Sequence, residues 1–296
     1  MKKATSINEQ IKKLEDRGMI LDEGYSKAKE ELLDIGYFRL GFYCFPFEKA
    51  YPEQKNRTHE YKEGTLLSDV VKLYYLDVDL RNLLSKYIYR IEVHFRTNLT
   101  YLISNKLQSS TIWFVDPEIM NKKFIDSFEL KIYNNLRKNN KVIRNHHGKY
   151  KDDEFAPAWK VLEFMTFGSV LKIFQNVKDE VVKKEIISIY DISSTLIFEN
   201  YMSTIIEIRN TCAHGGVMFD LKLGKSIKRG PAIKIDNTNR NRLYSAICVI
   251  KHILGKISKN REIDLEEQLK IVFEKYNDNK YLRPIIEQQI GYIFND

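Results

Sequence analysis

The chain has 296 residues, of which 43% are apolar, 30% charged and 12% aromatic, a balance that excludes intrinsic disorder and allows one large or two ordinary domains with a real core. Six prolines and thirteen glycines are too few for the frequent turns of a β-sandwich or barrel, and favour long helices. A net charge of +8 points to a polyanionic partner, nucleic acid or an anionic membrane surface, without choosing between them.

Residues 6–35 read as a helix pair. Ile7, Ile11 and Leu14 recur at helical spacing, Asp16-Arg17-Gly18 breaks the pattern, and Ala28, Leu32 and Ile35 resume it. The aromatic-dense stretch from Ile35 to Phe47 is expected to plug the core as a helix or turn, and residues 48–64 to form a polar loop or short hairpin. From Thr65 to Leu107 there is neither proline nor glycine. There Leu73, Leu80, Leu84, Tyr87, Ile91, Phe95, Asn98 and Leu102 keep a rhythm that predicts one or two long amphipathic helices. With Ile91 facing inward, Glu92 and Arg96 share one shoulder, and Arg90 and His94 share the other. The Glu92/Arg96 pair reads first as an ordinary surface ion pair worth roughly 0.2–0.5 kcal/mol.

Trp113-Phe114-Val115-Asp116-Pro117 closes this region. Residues 124–151 then end in a basic run of Arg137, Lys138, Lys141, Arg144, His146, His147, Lys149 and Lys151 with no acidic residue among them. That run is a candidate phosphate-contacting strip, and reads equally well as a solvated loop. Adjacent His146 and His147 do not share a helix face and make a poor metal pair. Pro157-Ala158-Trp159 opens another helical pattern, expected to break at Gly168, and residues 179–190 and 193–214 read as further helices. A second basic stretch over 221–242 (Lys222, Lys225, Lys228, Arg229, Lys234, Arg240 and Arg242) surrounds Gly230-Pro231 and reads as a loop or short hairpin. A helix from about 238 to 258 and a helical tail finish the chain. The division expected is an N-terminal helical and aromatic extension, 1–64, packed on a continuous helical domain, 65–296, with basic loop insertions: an all-α fold.

Arg209-Asn210-Thr211-Cys212-Ala213-His214, followed by Gly215-Gly216, carries the chemistry. A guanidinium binds a phosphodiester and stays charged, whereas an imidazole can shuttle a proton near neutral pH. On a helical wheel Tyr201, Ile205, Ile208 and Cys212 define a buried face, with Asn210 and His214 at about 200° and 240° from Ile208 and Arg209 near 100°. His214 is therefore expected away from the core. Met202, Ile206 and Ala213 form a lesser apolar stripe suited to a contact between two protomers, where two Arg and two His would converge on one cleft. Gly215-Gly216 would end the helix. Cys44, Cys212 and Cys248 are odd in number and lack ligand spacing, which argues against a disulfide scaffold and a zinc site. Met1-Lys2-Lys3 leads into a polar stretch without the apolar core of a signal peptide, and no run approaches the ~18 apolar residues of a membrane span. A cytoplasmic protein with no membrane contact is expected.

The Arg-to-His spacing resembles the Rx4–6H signature of HEPN ribonucleases. Ile35-Gly36-Tyr37-Phe38-Arg39-Leu40 with Tyr43 and Pro46, Asp79-Leu80-Arg81 through Arg90-Ile91-Glu92 to Arg96, and Pro157-Ala158-Trp159 through Phe167-Gly168 resemble the abortive-infection Abi-D/Abi-F family within that group. Members often carry a second histidine where this chain has Gly215. The resemblance implies an all-α HEPN bundle, dimerisation through the motif helices, metal-independent endoribonuclease activity in phage defence, and association with a noncoding RNA. On that reading Arg209, Asn210 and His214 are catalytic, and Glu92, Arg90 and Arg96 shape the cleft. Arg137, Lys138, Lys141, Arg144, Lys149, Lys151, Lys228 and Arg229 hold RNA, and no metal or other cofactor is required. The alternative is a non-catalytic protein whose cleft grips a dedicated structured RNA, which the basic stretches support equally.

Overall fold

A computed structural model describes residues 3–53, 55, 57–106, 110–233 and 239–294. Met1, Lys2, Leu107, Lys234 and the expected helix start at 238 lie outside the described residues. In chain order the helices are α1 (Ile7–Asp16), α2 (Tyr25–Ile35), α3 (Tyr37–Cys44), α4 (Leu67–Lys106), α5 (Lys122–Phe128), α6 (Asn134–Asn139) and α7 (Lys141–Lys149). They continue with α8 (Ala158–Val161), α9 (Phe167–Asn176), α10 (Glu180–Ser188), α11 (Thr195–Ala213), α12 (Leu243–Ile257), α13 (Lys259–Glu274) and α14 (Leu282–Ile285). Among the described residues β structure is limited to isolated bridges such as Ile20 to Leu66. The architecture is all-α, as the scarcity of glycine and proline leads one to expect.

Local sequence accounts for where the helices begin and end. Ser6 and Glu9 form a reciprocal capping box at the start of α1, the Ser6 N–H donating to Glu9 Oε2 at 2.7 Å. Gly36, at φ +85°, makes the turn between α2 and α3 in a backbone region that disfavours side chains. The unbroken run after Thr65 becomes one 40-residue helix, α4, with Leu73, Leu80, Leu84, Ile91, Phe95 and Leu99 on its wholly buried face.

The chain divides into two compact units, and the division does not fall at 64/65. One unit comprises Met1–Leu83, Gly215–Leu221 and Glu267–Asp296; the other comprises Leu84–His214 and Lys222–Glu266. In the first, the centre is polar as well as apolar. Asp77 is wholly buried and accepts hydrogen bonds from the Met218 and Phe219 N–H groups at 2.6 and 2.8 Å, while the Tyr43 hydroxyl donates to it at 3.1 Å. Arg81, 3.7 Å from Asp77, donates to the Gly216 carbonyl at 2.9 Å, and Arg39 donates to the Gly215 carbonyl at 2.8 Å. Residues 215–219 are thus held by side chains rather than by secondary structure. In the second unit the core is an aromatic cluster in which Phe95 of α4 and Phe174 of α9 lie 5.6 and 5.1 Å, ring to ring, from Phe198 of α11. Tyr190 lies 5.4 Å from the same ring.

Several expectations are corrected. The basic run over 137–151 is not a loop: it occupies α6 and α7, because Asn140 caps α7 by accepting from the Val142 and Ile143 N–H groups at 2.9 and 3.1 Å. Ile143 and His146 are its buried face. The break after Trp159 comes at Thr166, which caps α9 by accepting from the Ser169 N–H at 3.2 Å; Gly168 lies inside that helix. The aromatic stretch is only partly core. Tyr43 and Phe47 are buried, but Phe38 is 83% exposed and Phe42 also faces outward.

Candidate functional site

Helix α11 sets the site. Phe198, Tyr201, Ile205 and Ile208 are fully buried, and the Tyr201 hydroxyl accepts from the Ala232 N–H at 3.3 Å, which fixes the rotation of the helix. That rotation leaves Asn210 and His214 exposed and Arg209 half-buried at the shoulder, as the helical wheel predicts. His214 is the C-terminal cap; its N–H donates to the Asn210 carbonyl at 3.0 Å. Gly215 follows at φ +63°, the left-handed conformation that ends a helix and that a side chain would strain. Met202 is wholly buried, so it cannot belong to an open stripe for a second protomer; Ala213 and part of Ile206 are what that face presents.

Glu92 and Arg96 of α4 are not a surface pair. Arg96 Nη2 donates to Glu92 Oε1 at 2.8 Å and to the Met165 carbonyl at 3.2 Å, and both side chains are about nine-tenths enclosed. The other oxygen of Glu92 lies 3.7 Å from Arg209 Nε. One carboxylate therefore stands between two guanidiniums, one packed away and one 42% exposed. Electrostatically this restrains Arg209 while its side chain stays 42% exposed; the cost of about 3–5 kcal/mol for breaking an enclosed pair applies to Glu92 and Arg96. The Met165 carbonyl is a member of this cluster that sequence patterning could not reveal, because a main-chain acceptor leaves no residue-type signal. Arg90 stands apart on the opposite shoulder. Its charge, together with burial as the larger cause, lowers the pKa of His94, whose Nδ1 is 3.0 Å from the Tyr190 hydroxyl.

The basic residues fall into two groups. Arg137, Lys138, Lys141, Arg144, Lys149 and Lys151 are all exposed on or beside α6 and α7. Lys228 and Arg229 are exposed on the segment after α11, and that segment is stapled to the helix. Asn200 accepts from the Lys228 N–H at 2.7 Å and donates to the Ser226 carbonyl at 3.2 Å, and Glu207 accepts from the Gly224 N–H at 3.0 Å. Between them lies a cleft of about 600 Å³ lined in part by Leu196, Asn200, Ser203, Glu207, Lys225 and Lys228. Residues 196, 200, 203, 207, 210 and 214 recur at spacings of three and four, so the cleft lies along the same face of α11 as Asn210 and His214.

A family model described as Abi-like protein matches residues 30–220, which is more than half of the chain and includes every segment on which the resemblance rests. The chain belongs to the Abi-like protein family. Membership connects this Abi-like protein with abortive infection. No curated protein and no solved structure matches it. Among the described residues no group of His, Cys, Asp and Glu could hold a metal ion, and no helix is long and apolar enough to cross a membrane.

Proposed function

We propose that this Abi-like protein is a cytoplasmic HEPN endoribonuclease that cleaves RNA without a metal during abortive infection, at a cleft formed by two protomers. The observation that carries this reading is the end of α11: Asn210 and His214 are open to a ligand beside an Arg209 restrained by an enclosed carboxylate. The ribose 2′-oxygen attacks the adjacent phosphorus as an imidazole takes its proton; the bond to the 5′-oxygen breaks as an imidazolium returns one. The products are a 2′,3′-cyclic phosphate and a 5′-hydroxyl. Arg209 stabilises charge on the phosphorane oxygens, and Asn210 orients His214 or a phosphate oxygen. Glu92, with Arg96 behind it, is a positioning residue for Arg209. Because the side chains supply both proton transfer and positive charge, the step calls for no metal.

The exposed bases Arg137, Lys138, Lys141, Arg144, Lys149, Lys151, Lys228 and Arg229 neutralise the phosphates of the substrate and of a cognate noncoding RNA. The exposed basic residues also favour a second reading, a non-catalytic grip on a structured RNA. His214→Ala separates the two. The proposal expects the variant to bind RNA as the parent does while cleavage falls by roughly 10²–10⁴-fold; cleavage at the parent rate would remove His214 from the mechanism.

A further inference from the structure

The Trp159 segment and the outer face of α4 line a cleft that the cleavage step does not use. Its volume is about 360 Å³, and its lining includes Arg96, Thr97, Thr100, Tyr101, Trp159 and Glu163. Trp159 is 52% exposed and Tyr101 63% exposed, so two large aromatic side chains bring open surface to the cleft. The chain's other tryptophan behaves differently: Trp113 is wholly buried and its indole N–H donates to Ser104 Oγ at 3.0 Å. Folding therefore finds a place for one indole and leaves the other at a cavity wall.

Arg96 forms another part of the lining. Its Nη2 is committed to Glu92 and to the Met165 carbonyl, but its Nε is enclosed and has no hydrogen-bond acceptor. A buried guanidinium N–H without an acceptor is costly, and rare unless a ligand or water completes it. Aromatic side chains and two threonines in a space of this size match a nucleobase, which has a flat π face and a polar edge, while Arg96 is already paired with Glu92 and the carboxylate of Glu163 keeps the phosphate toward solvent. An apolar peptide side chain would leave the hydroxyls unmatched. A base pair stacked in a duplex presents no free face to an indole.

We propose that this cleft holds one unpaired nucleotide of the RNA, its base against Trp159 and Tyr101 and its polar edge toward Thr97 and Thr100. The inference rests on RNA being the ligand of this protein and adds what the cleavage reading leaves open, a requirement for a single-stranded element. Arg96 ties the cleft to Glu92 and through it to Arg209, so occupancy bears on the group that faces the phosphate.

The test is a titration of the full chain with a short single-stranded 2′-O-methyl oligoribonucleotide, which lacks the attacking hydroxyl, alongside the same sequence as a duplex and inorganic polyphosphate as a charge-only probe. The single strand is expected to quench the tryptophan emission, the duplex and polyphosphate to leave it unchanged, and Trp159→Phe to remove most of the response, because Trp113 is wholly buried behind Ser104 at the wall of the cleft. By anisotropy of a labelled single strand, Trp159→Ala or Tyr101→Ala should weaken binding about tenfold, and Trp159→Phe, which keeps a stacking ring, should retain most of it. Circular dichroism checks that each variant is folded. No quenching, or single-strand affinity of Trp159→Ala within about twofold of the parent, overturns the proposal. Quenching by polyphosphate as strong as by RNA overturns it too. The two readings fail separately: loss of cleavage in His214→Ala with no response at Trp159 defeats only the cleft, and a Trp159 response with undiminished cleavage in His214→Ala defeats only the active site.

Discussion

Two carboxylate–arginine pairs sit on α4 with the same i, i+4 spacing, and they do opposite things. Asp77 and Arg81, in the first unit, have their oxygens and nitrogens turned onto the 216–219 main chain and the Tyr43 hydroxyl. Glu92 and Arg96, in the second, are about nine-tenths enclosed, but Glu92 turns its other oxygen to the half-exposed Arg209, and Arg96 keeps an enclosed N–H without an acceptor. A pair whose hydrogen bonds all close within the chain is a structural fastening. A pair that leaves positive charge facing outward is equipped for a ligand.

That difference predicts which substitutions cost stability and which cost activity. Asp77→Ala is expected to have the largest structural effect, about 3–5 kcal/mol, because it strands the Arg81 charge and two main-chain N–H groups in the interior; a denaturant-unfolding midpoint measures it. Arg209→Ala should leave that midpoint within about 0.5 kcal/mol of the parent, its side chain being half-exposed, and lower single-turnover RNA cleavage by roughly 10²–10³-fold. Glu92→Gln lies between. It keeps an acceptor for Arg96 but leaves that enclosed charge uncompensated and costs about 3 kcal/mol, the low end for breaking such a pair, while the loosened Arg209 should cut cleavage about tenfold with RNA affinity unchanged, read as a fall in kcat rather than a rise in KM.

How much of this was legible in the sequence differs between the two pairs. The periodicity of α4 placed Glu92 and Arg96 together on a shoulder, but a single helix cannot tell whether another element covers that shoulder. The 162–165 turn does so, through the Met165 carbonyl. Nothing in the sequence singles out Asp77, since its partners are main-chain groups far along the chain. The rotation of α11 was readable because Tyr201, Ile205 and Ile208 are an unambiguous inner face. Met202, wholly buried, falls on the open stripe of the wheel because a wheel shows angles and not the neighbours that enclose them. The helical state of 137–151 did have a signal in Asn140, a capping residue ahead of Ile143, which the density of lysine and arginine obscured.

A smaller effect concerns pH. His94, His147 and His252 all have lowered pKa values, each with burial as the leading cause. Folding favours their neutral forms, so this contribution is present above the unfolded value near 6.5 and is lost as the pH falls through the lower folded values. The buried Asp77 carboxyl works the other way: burial pushes its pKa up to about 7, so between about pH 7 and pH 5 its protonation in the folded state offsets the histidines. His94→Gln should therefore raise the thermal midpoint at pH 5 relative to that at pH 7, compared with the parent, without altering the neutral-pH cleavage pattern, since His94 belongs to neither α4 pair.

The most direct measurement is the chemistry of the cut ends when the purified chain meets a single-stranded RNA in excess EDTA. Cleavage is expected to persist in the chelator, to yield 2′,3′-cyclic phosphate and 5′-hydroxyl termini, and to disappear in His214→Ala. Termini with 3′-hydroxyl and 5′-phosphate, or cutting that stops on chelation and returns with magnesium, would contradict the proposed mechanism.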